Sequence, residues 1–116
     1  MKITLLNALL ILIFLASGCA KLAGLEFELV AFERWGYPLW FMYLTGALEV
    51  LVAIGMLKRQ WMLYSVFGMV IIMIGAVGTH ALNAEWPMLV LASSILSLAV
   101  YRLWLGSSRI RTMFGF

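Results

Sequence analysis

Residues 61–82 read WMLYSVFGMVIIMIGAVGTHAL and contain no lysine, arginine, aspartate or glutamate. A helix needs about 20 mostly apolar residues to cross the hydrocarbon core of a bilayer, so this stretch predicts a membrane-spanning helix. Similar apolar stretches occupy residues 3–22, 38–57 and 87–105, and charged or loop residues separate them. Pro38 suits the first turn of the second helix. The pattern predicts an all-α fold, an integral membrane four-helix bundle with up-down topology.

The composition agrees with lipid as the surrounding solvent. Of the 116 residues, 66% are hydrophobic and 11% are charged, whereas an average soluble domain has roughly 25% charged residues. The length predicts a single transmembrane domain, residues 1–116. The net charge is +3, but the basic residues form no stripe interleaved with exposed aromatics, and this argues against a nucleic-acid partner. A single cysteine excludes an internal disulfide and a metal centre built on several cysteines.

The distribution of charge predicts how the bundle is oriented. With both termini in the cytoplasm, the inner side carries most of the basic residues, in line with the positive-inside rule: Lys2, Lys58, Arg59, Arg102, Arg109 and Arg111. The outer side then carries Lys21, Arg34 and four acidic residues, Glu26, Glu28, Glu33 and Glu85. Tryptophan and tyrosine lie near both ends of the predicted spans, as they do at membrane interfaces.

The segment between the first two spans, residues 25–37, mixes acidic with apolar side chains. Leu25, Leu29 and Phe32 share one helical face, and Glu26 and Glu33 share another. This pattern is typical of a helix that lies on the outer leaflet. An ordinary loop with some helical character fits as well, and the pattern leaves both interpretations open.

The first apolar run ends in Ala-Ser-Gly-Cys at residues 16–19, which is similar to a bacterial lipoprotein signal. Cleavage before Cys19 would leave that cysteine lipid-modified. Only one lysine, Lys2, precedes the run, and three further apolar spans follow it instead of a secreted domain. We therefore expect the first span to be retained, and an intact mass that lacks residues 1–18 would contradict this.

Ionisable residues inside predicted spans are candidates for function, because burying one in lipid costs at least a few kcal/mol. Glu49 lies deep in the second span beside Thr45 and Gly46. Lys21 lies near the outer end of the first span, and the side chains of both residues tilt towards the N-terminal end of their helices. This convergence predicts a Lys21–Glu49 ion pair. Small residues favour close packing of helices in membranes, and four glycines are candidates for it: Gly18, Gly46, Gly75 and Gly78.

His80 lies near the outer end of the third span. We expect Lys21, Glu49 and His80 to meet in the outer half of the bundle, with Thr45 and Thr79 beside them. One interpretation is a pocket for a quinone head group, a proton or a polar residue of a partner, in which His80 or Glu49 carries protons. The other is a structural ionic cluster that sets the order and register of the helices.

A metal site and the usual catalytic motifs are not predicted. Met69, Met73 and His80 share a helical face that suits a soft metal ion. Methionine is common in this chain, with eight copies, and it fills apolar gaps well, so we predict no metal. The sequence contains no phosphate-binding loop, zinc-ligand spacing or nucleophile, histidine and acid in a known order, and catalytic residues stay unassigned.

Several short segments together resemble the DoxX-like family of small four-helix bacterial membrane proteins. They are FLASG at 14–18 followed by Lys21-Leu22, RWGYP at 34–38, GALE at 46–49 and GAVGTH at 75–80. The resemblance covers nearly the whole chain and implies a multi-pass protein of the bacterial inner membrane. It also implies a redox or assembly role at the membrane. Some relatives are similar to the membrane subunit of a thiosulfate:quinone oxidoreductase. Others associate with redox-defence enzymes or assist the assembly of membrane proteins.

Three functions follow as hypotheses. The first is an accessory subunit of a quinone-linked redox system, with quinone as the possible cofactor. The chain lacks a soluble extension for thiosulfate, a flavin or haem, so we do not expect the isolated chain to be an enzyme. The second is a structural or assembly factor without catalysis, and the third is a small-solute or proton transporter. The first two need a membrane or membrane-associated protein partner or a second copy of the chain.

Overall fold

The computed structural model describes the backbone of residues 3–114 and the side chains of residues 4–106. In that part of the chain every regular element is helical. The α-helices are α1 Ile3–Leu22, α2 Glu26–Trp35, α3 Leu39–Gly55, α4 Met62–Leu82 and α5 Trp86–Phe114, with a single 3-10 turn at Arg59–Trp61 before α4. The predicted basic residue Lys2 and the side chains of Arg109 and Arg111 lie outside the described residues.

Three of the described helical stretches are long and apolar enough to cross a membrane, namely Thr4–Leu22, Arg59–Leu82 and Trp86–Gly106. The helix α3 is also apolar but shorter, with 17 residues. The helix α5 extends past residue 105, the predicted end of the fourth span, and continues without a break to Phe114. Residues 106–114 contain no proline. Their one glycine, Gly106, costs the helix only about 1 kcal/mol relative to alanine.

The helices pack mainly in two pairs. The helix α1 lies against α3 and α4 lies against α5, and α3 joins the pairs through α4. The apolar core between them is formed by Leu6, Leu10, Phe14, Ala53, Met56, Val66, Met69, Met73, Ala92 and Ala99. Met69 and Met73, considered above as metal ligands, are thus part of this core.

Two of the four predicted packing glycines lie where α1 crosses α3. A Cβ atom on Gly18 would lie 2.7 Å from the carbonyl oxygen of Gly46, and one on Gly46 would lie 2.7 Å from Cβ of Lys21. Because there is no room for a side chain at either position, the two backbones can approach closely at this crossing.

The prediction is wrong for Gly75 and Gly78, since an added Cβ atom would meet nothing within 4 Å at either position. Glycines nearer the start of α4 and the end of α3 make the close contacts instead. A Cβ atom on Gly68 would lie 2.9 Å from Cγ1 of Val52, and one on Gly55 would overlap the hydroxyl of Ser65. Gly75 lines a cavity instead of a helix contact.

The helix α2 is the predicted helical alternative for residues 25–37, and two tight turns set its direction. Gly24 and Gly36 have φ of +65° and +82°, a left-handed conformation that glycine adopts without strain. Of the three residues of the predicted apolar face, Phe32 packs against the rest of the protein, whereas Leu25 and Leu29 are exposed. Glu28 and Phe32 are buried, while Leu29 is 37% exposed.

Candidate functional site

A cavity of about 830 Å³ opens at the end of the bundle that carries α2, and all five described α-helices contribute to its wall. Most of the lining is apolar, with aromatic rings such as Phe14, Phe27 and Phe41. Polar and charged side chains also line it: Ser17, Lys21, Glu28, Arg34, Trp35, Tyr37, Thr45, Glu49, Thr79 and His80. The cavity therefore combines a large apolar surface with a few buried charged groups.

The first group of charges, which we name the lysine cluster, consists of Ser17, Lys21, Glu28 and Glu49. Nζ of Lys21 lies 2.9 Å from Oε1 of Glu49 and 3.2 Å from Oε2 of Glu28, and it donates a hydrogen bond of 2.8 Å to Oγ of Ser17. The predicted Lys21–Glu49 ion pair is therefore present in the structure. The Glu49 contact is ionic, because Oε1 accepts no well-directed hydrogen bond. One ammonium group serves two buried carboxylates.

The close crossing of α1 and α3 explains why this cluster forms. Lys21 follows Gly18 by three residues and Glu49 follows Gly46 by three, so each charge lies on the same helical face as its glycine. Glu28 joins from α2, which the turn at Gly24 brings back over the end of α1. Lys21 and Glu28 are only 12% and 11% exposed, and the attraction of Lys21 explains why a glutamate takes the buried face of α2.

The second group, the histidine cluster, consists of Arg34, Trp35, His80 and Glu85. Oε1 of Glu85 lies 2.8 Å from Nδ1 of His80 and accepts a hydrogen bond of 2.9 Å from Nε1 of Trp35. Arg34 forms an ion pair with Oε2 of the same carboxylate. The ring of Trp35 meets the ring of His80 edge-on, with 5.5 Å between centroids. Glu85 is thus the common partner of the other three residues.

The expected direct meeting of Lys21, Glu49 and His80 is wrong. His80 pairs with Glu85 at the end of its own helix, and Lys21 pairs with Glu28 and Glu49. The physical reason is the turn after α4, in which the backbone N–H of Glu85 donates to the carbonyl of His80 at 3.0 Å. That turn brings a carboxylate to the imidazole from nearby in the sequence. The lysine cluster and three members of the histidine cluster, Arg34, Trp35 and His80, instead line the same cavity.

The two predicted threonines line the cavity but have other partners. Thr45 Oγ1 donates to the carbonyl of Phe41 in its own helix at 2.8 Å. Thr79 Oγ1 lies 2.7 Å from the hydroxyl of Tyr37, and this contact ties the turn between α2 and α3 to α4. Both hydroxyls therefore satisfy local or interhelical hydrogen bonds and do not contact the lysine cluster directly.

Five members of the two clusters were not predicted as site residues: Ser17, Glu28, Arg34, Trp35 and Glu85. Two of them carried a local signal. Ser17 precedes Lys21 by four residues, so the two side chains are neighbours on a helix. Glu85 follows His80 by five residues across a helix end. The others reach the cavity only through the fold of α2.

A third polar contact is buried at the opposite end of the bundle. The guanidinium of Arg102 donates from Nε to Oδ1 of Asn7 at 2.6 Å and lies 2.7 Å from the sulfur of Met62. Arg102 is 6% exposed. This contact joins α1, α4 and α5 and lies apart from the cavity. Among the described residues, no group of three or more histidine, cysteine, aspartate or glutamate side chains is arranged to hold a metal ion.

The ionisation of Glu85 predicts how stability depends on pH. Burial raises the pKa of Glu85, but hydrogen bonds from His80, Arg34 and Trp35 outweigh it and hold the pKa below its ordinary value of 4.5. A lowered pKa in the folded state stabilises the protein above the unfolded value, and this stabilisation is lost as the pH falls through the folded value. We expect Glu85→Gln to lower the thermal stability of the detergent-solubilised protein at about pH 7 and to lower it less below pH 4.5.

The matched control for Glu85→Gln is Glu33→Gln, which changes an exposed glutamate of α2. It should leave the melting temperature unchanged at both pH values. A difference between wild type and Glu85→Gln that stays constant from about pH 7 to about pH 3 would contradict the assigned role of the carboxylate.

The segment that carries both clusters is also the segment that the family comparison covers. The sequence pattern of the DoxX-like family matches residues 5–101. The chain belongs to the DoxX-like family. An uncharacterized protein of Bacillus subtilis strain 168, YdgD, is 30% identical to this DoxX-like chain over 90 residues, which cover 74% of the chain and 79% of YdgD. No solved structure matches this DoxX-like chain.

Family membership and composition both indicate that this DoxX-like chain lies in a membrane. The matched residues 5–101 include all members of the lysine and histidine clusters, and the three membrane-length helices are apolar along their length. This DoxX-like chain is therefore a membrane protein.

Proposed function

We propose that this chain is a four-span protein of the bacterial inner membrane with both termini in the cytoplasm. In this proposal it binds a quinone in the cavity at the α2 end and serves as an accessory subunit of a quinone-linked redox system. The observation that carries the proposal is the cavity itself, in which buried charged groups interrupt an apolar wall. Family membership supports the membrane setting.

The fourth span in this proposal is α3. Its 17 residues give a length of about 26 Å at 1.5 Å per residue, slightly less than the roughly 30 Å of a hydrocarbon core. A bilayer accommodates such a short helix by local thinning at modest cost. With α3 across the membrane, Lys58 and Arg59 lie on the cytoplasmic side and α2 lies at the outer surface, as the charge distribution predicts.

The size and lining of the cavity suit a quinone. Ligand sites are mostly apolar clefts of about 300–1,000 Å³ with a few polar groups that set orientation, and this cavity measures about 830 Å³. Its aromatic and aliphatic side chains suit the ring and isoprenoid tail of a quinone. The lysine cluster and His80 supply the polar contacts for the oxygen atoms of the head group.

The accessory role follows from what the quinone needs besides a binding site. Quinone reduction or quinol oxidation requires a second substrate, and in this proposal a partner protein carries out that half-reaction. The partner is a membrane or membrane-associated enzyme. The assembly that it joins can also contain further copies of this chain.

Quinone binding tests the proposal directly. We expect Glu49→Gln and His80→Ala each to weaken binding of a short-tailed quinone, supplied in its hydroquinone form, about tenfold, the equivalent of roughly one hydrogen bond. Equilibrium binding of the labelled quinone to full-length protein in nanodiscs is the measurement.

The matched control is Glu33→Gln, an exposed acid-to-amide change on α2, which should bind the quinone as wild type does. The proposal fails if the wild-type protein binds no quinone. It fails equally if the two cavity variants bind the quinone as tightly as the control does.

One observation favours an assembly factor as a second candidate. The lysine cluster joins α1, α2 and α3, and Glu85 joins α2 to the turn after α4, so the same charges can act as a structural ionic cluster. Crosslinking in cells separates the candidates. Stoichiometric capture of an assembling membrane protein, together with no quinone in the purified chain, would favour the assembly role.

A further inference from the structure

The orientation of the His80 hydrogen bond determines what the cavity can offer a ligand. Arg34 and Trp35 both direct their donors at the carboxylate of Glu85, and the lowered pKa of Glu85 keeps it ionised at neutral pH. An ionised carboxylate only accepts hydrogen bonds. Nδ1 of His80, at 2.8 Å from Oε1 of Glu85, therefore carries the hydrogen. In a neutral imidazole the other nitrogen, Nε2, is then an acceptor.

The other donors of the cavity wall are largely occupied. The Lys21 ammonium donates hydrogen bonds to Ser17 and Glu28 and forms an ion pair with Glu49. The hydroxyl of Thr45 donates to the carbonyl of Phe41. The indole N–H of Trp35 donates to Glu85.

Two further sources of donors lie in the cavity wall. Tyr37 and Thr79 share one hydrogen bond and keep one hydroxyl hydrogen between them. Arg34 is 55% exposed and lies where water competes for its remaining donors. The enclosed part of the wall is thus poor in free donors.

Acceptors are plentiful in the same wall. The carboxyl groups of Glu28 and Glu49 share a single ammonium, and even one ionised carboxylate has about four lone-pair sites. Nε2 of His80 adds another acceptor on a side chain that is 9% exposed. The wall therefore offers more acceptors than donors.

We propose that the cavity selects a ligand whose head group donates hydrogen bonds, and hence that it binds the hydroquinone form of a quinone in preference to the oxidised form. The assignment rests on the proposed function for the choice of quinones as the ligand class. The two hydroxyls of a hydroquinone can donate to Nε2 of His80 and to a carboxylate of the lysine cluster. The carbonyl oxygens of an oxidised quinone would face those acceptors without a hydrogen bond between them, which is unfavourable.

Three probes that share one ring and one decyl tail test the selection on full-length protein in nanodiscs under anaerobic conditions. They are a decyl quinone, its hydroquinone and the di-O-methyl ether of that hydroquinone, which has no donor. We expect the hydroquinone to bind at least about tenfold more tightly than either of the others. His80→Ala should reduce that ratio, whereas Glu33→Gln should preserve it. Equal binding of the three probes by wild type overturns the selection and leaves quinone binding standing.

The state of His80 provides an independent readout, because it is the single histidine of the chain. Nitrogen NMR of 15N-histidine-labelled protein should show a protonated Nδ1 and an unprotonated Nε2. A protonated Nε2, in either the imidazolium or the other tautomer, overturns the inference. If none of the three probes binds, the proposed quinone function fails, and the NMR result still decides whether His80 offers an acceptor to the cavity.

Discussion

Replacing Lys21 by methionine is expected to destabilise the protein by about 3–5 kcal/mol, the typical loss when one partner of a buried ion pair is removed. Lys21 is the cation of the lysine cluster, within 3.2 Å of Glu28 and 2.9 Å of Glu49. Its loss leaves two carboxylates buried together without a positive partner. Unfolding of the purified protein in mild detergent, followed by its helical circular dichroism, measures the effect.

Two further variants make this prediction specific to the cluster. Glu49→Gln should cost clearly less than Lys21→Met, because Lys21 keeps Glu28 and the charges then balance one to one. Lys58→Met, which removes an exposed lysine, should change stability little. Equal effects of Lys21→Met and Lys58→Met would show that the buried charges do not stabilise the bundle.

Gly46→Ala is expected to destabilise the protein by about 1–3 kcal/mol, the usual cost of overpacking a tight contact. The added Cβ atom would lie 2.7 Å from Cβ of Lys21 and 2.9 Å from the carbonyl oxygen of Gly18. Both neighbours belong to or adjoin the backbone of α1, so the helices must separate to admit the methyl group. The same separation should weaken the Lys21–Glu49 pair, and unfolding in detergent again measures the loss.

Gly75→Ala is the control for that change, since it adds the same methyl group to another apolar helix. An added Cβ atom at Gly75 meets nothing within 4 Å, and alanine is favoured over glycine inside a helix by roughly 0.5–1 kcal/mol. Stability should therefore be unchanged or slightly higher. A loss as large as that of Gly46→Ala would contradict the open surroundings of Gly75.

Much of the helical organisation could be predicted because its causes are local. The long apolar stretches specify helices wherever lipid is the solvent, and the described helices at Ile3–Leu22 and Met62–Leu82 follow the predicted bounds closely. The Lys21–Glu49 pair was also predictable, because two opposite charges inside apolar segments have few alternatives to each other. The end of α5 at Phe114 was not predictable from polarity, since a polar sequence without proline can continue a helix beyond the apolar span.

The candidate site shows where such local reasoning stops. In residues 75–80 we predicted two packing glycines and a histidine that meets Lys21 and Glu49. In the structure, Gly75 and Gly78 have open surroundings and His80 pairs with Glu85. Glu28 was predicted on the outer side of the membrane but not in the polar cluster, and it lies buried against Lys21. In each case the residue type marked a position of interest, but the sequence did not predict which residue it would contact.

The sequence by itself determined that this chain is helical, that it belongs in lipid and that a few charged residues must be buried among apolar ones. Only the tertiary structure decided which charges share a cluster and where the cavity lies between them. The physical reason is that helical periodicity specifies the residues on one face of a helix. Which neighbouring helix covers that face depends on the positions and angles at which the helices cross, here at Gly18 and Gly46.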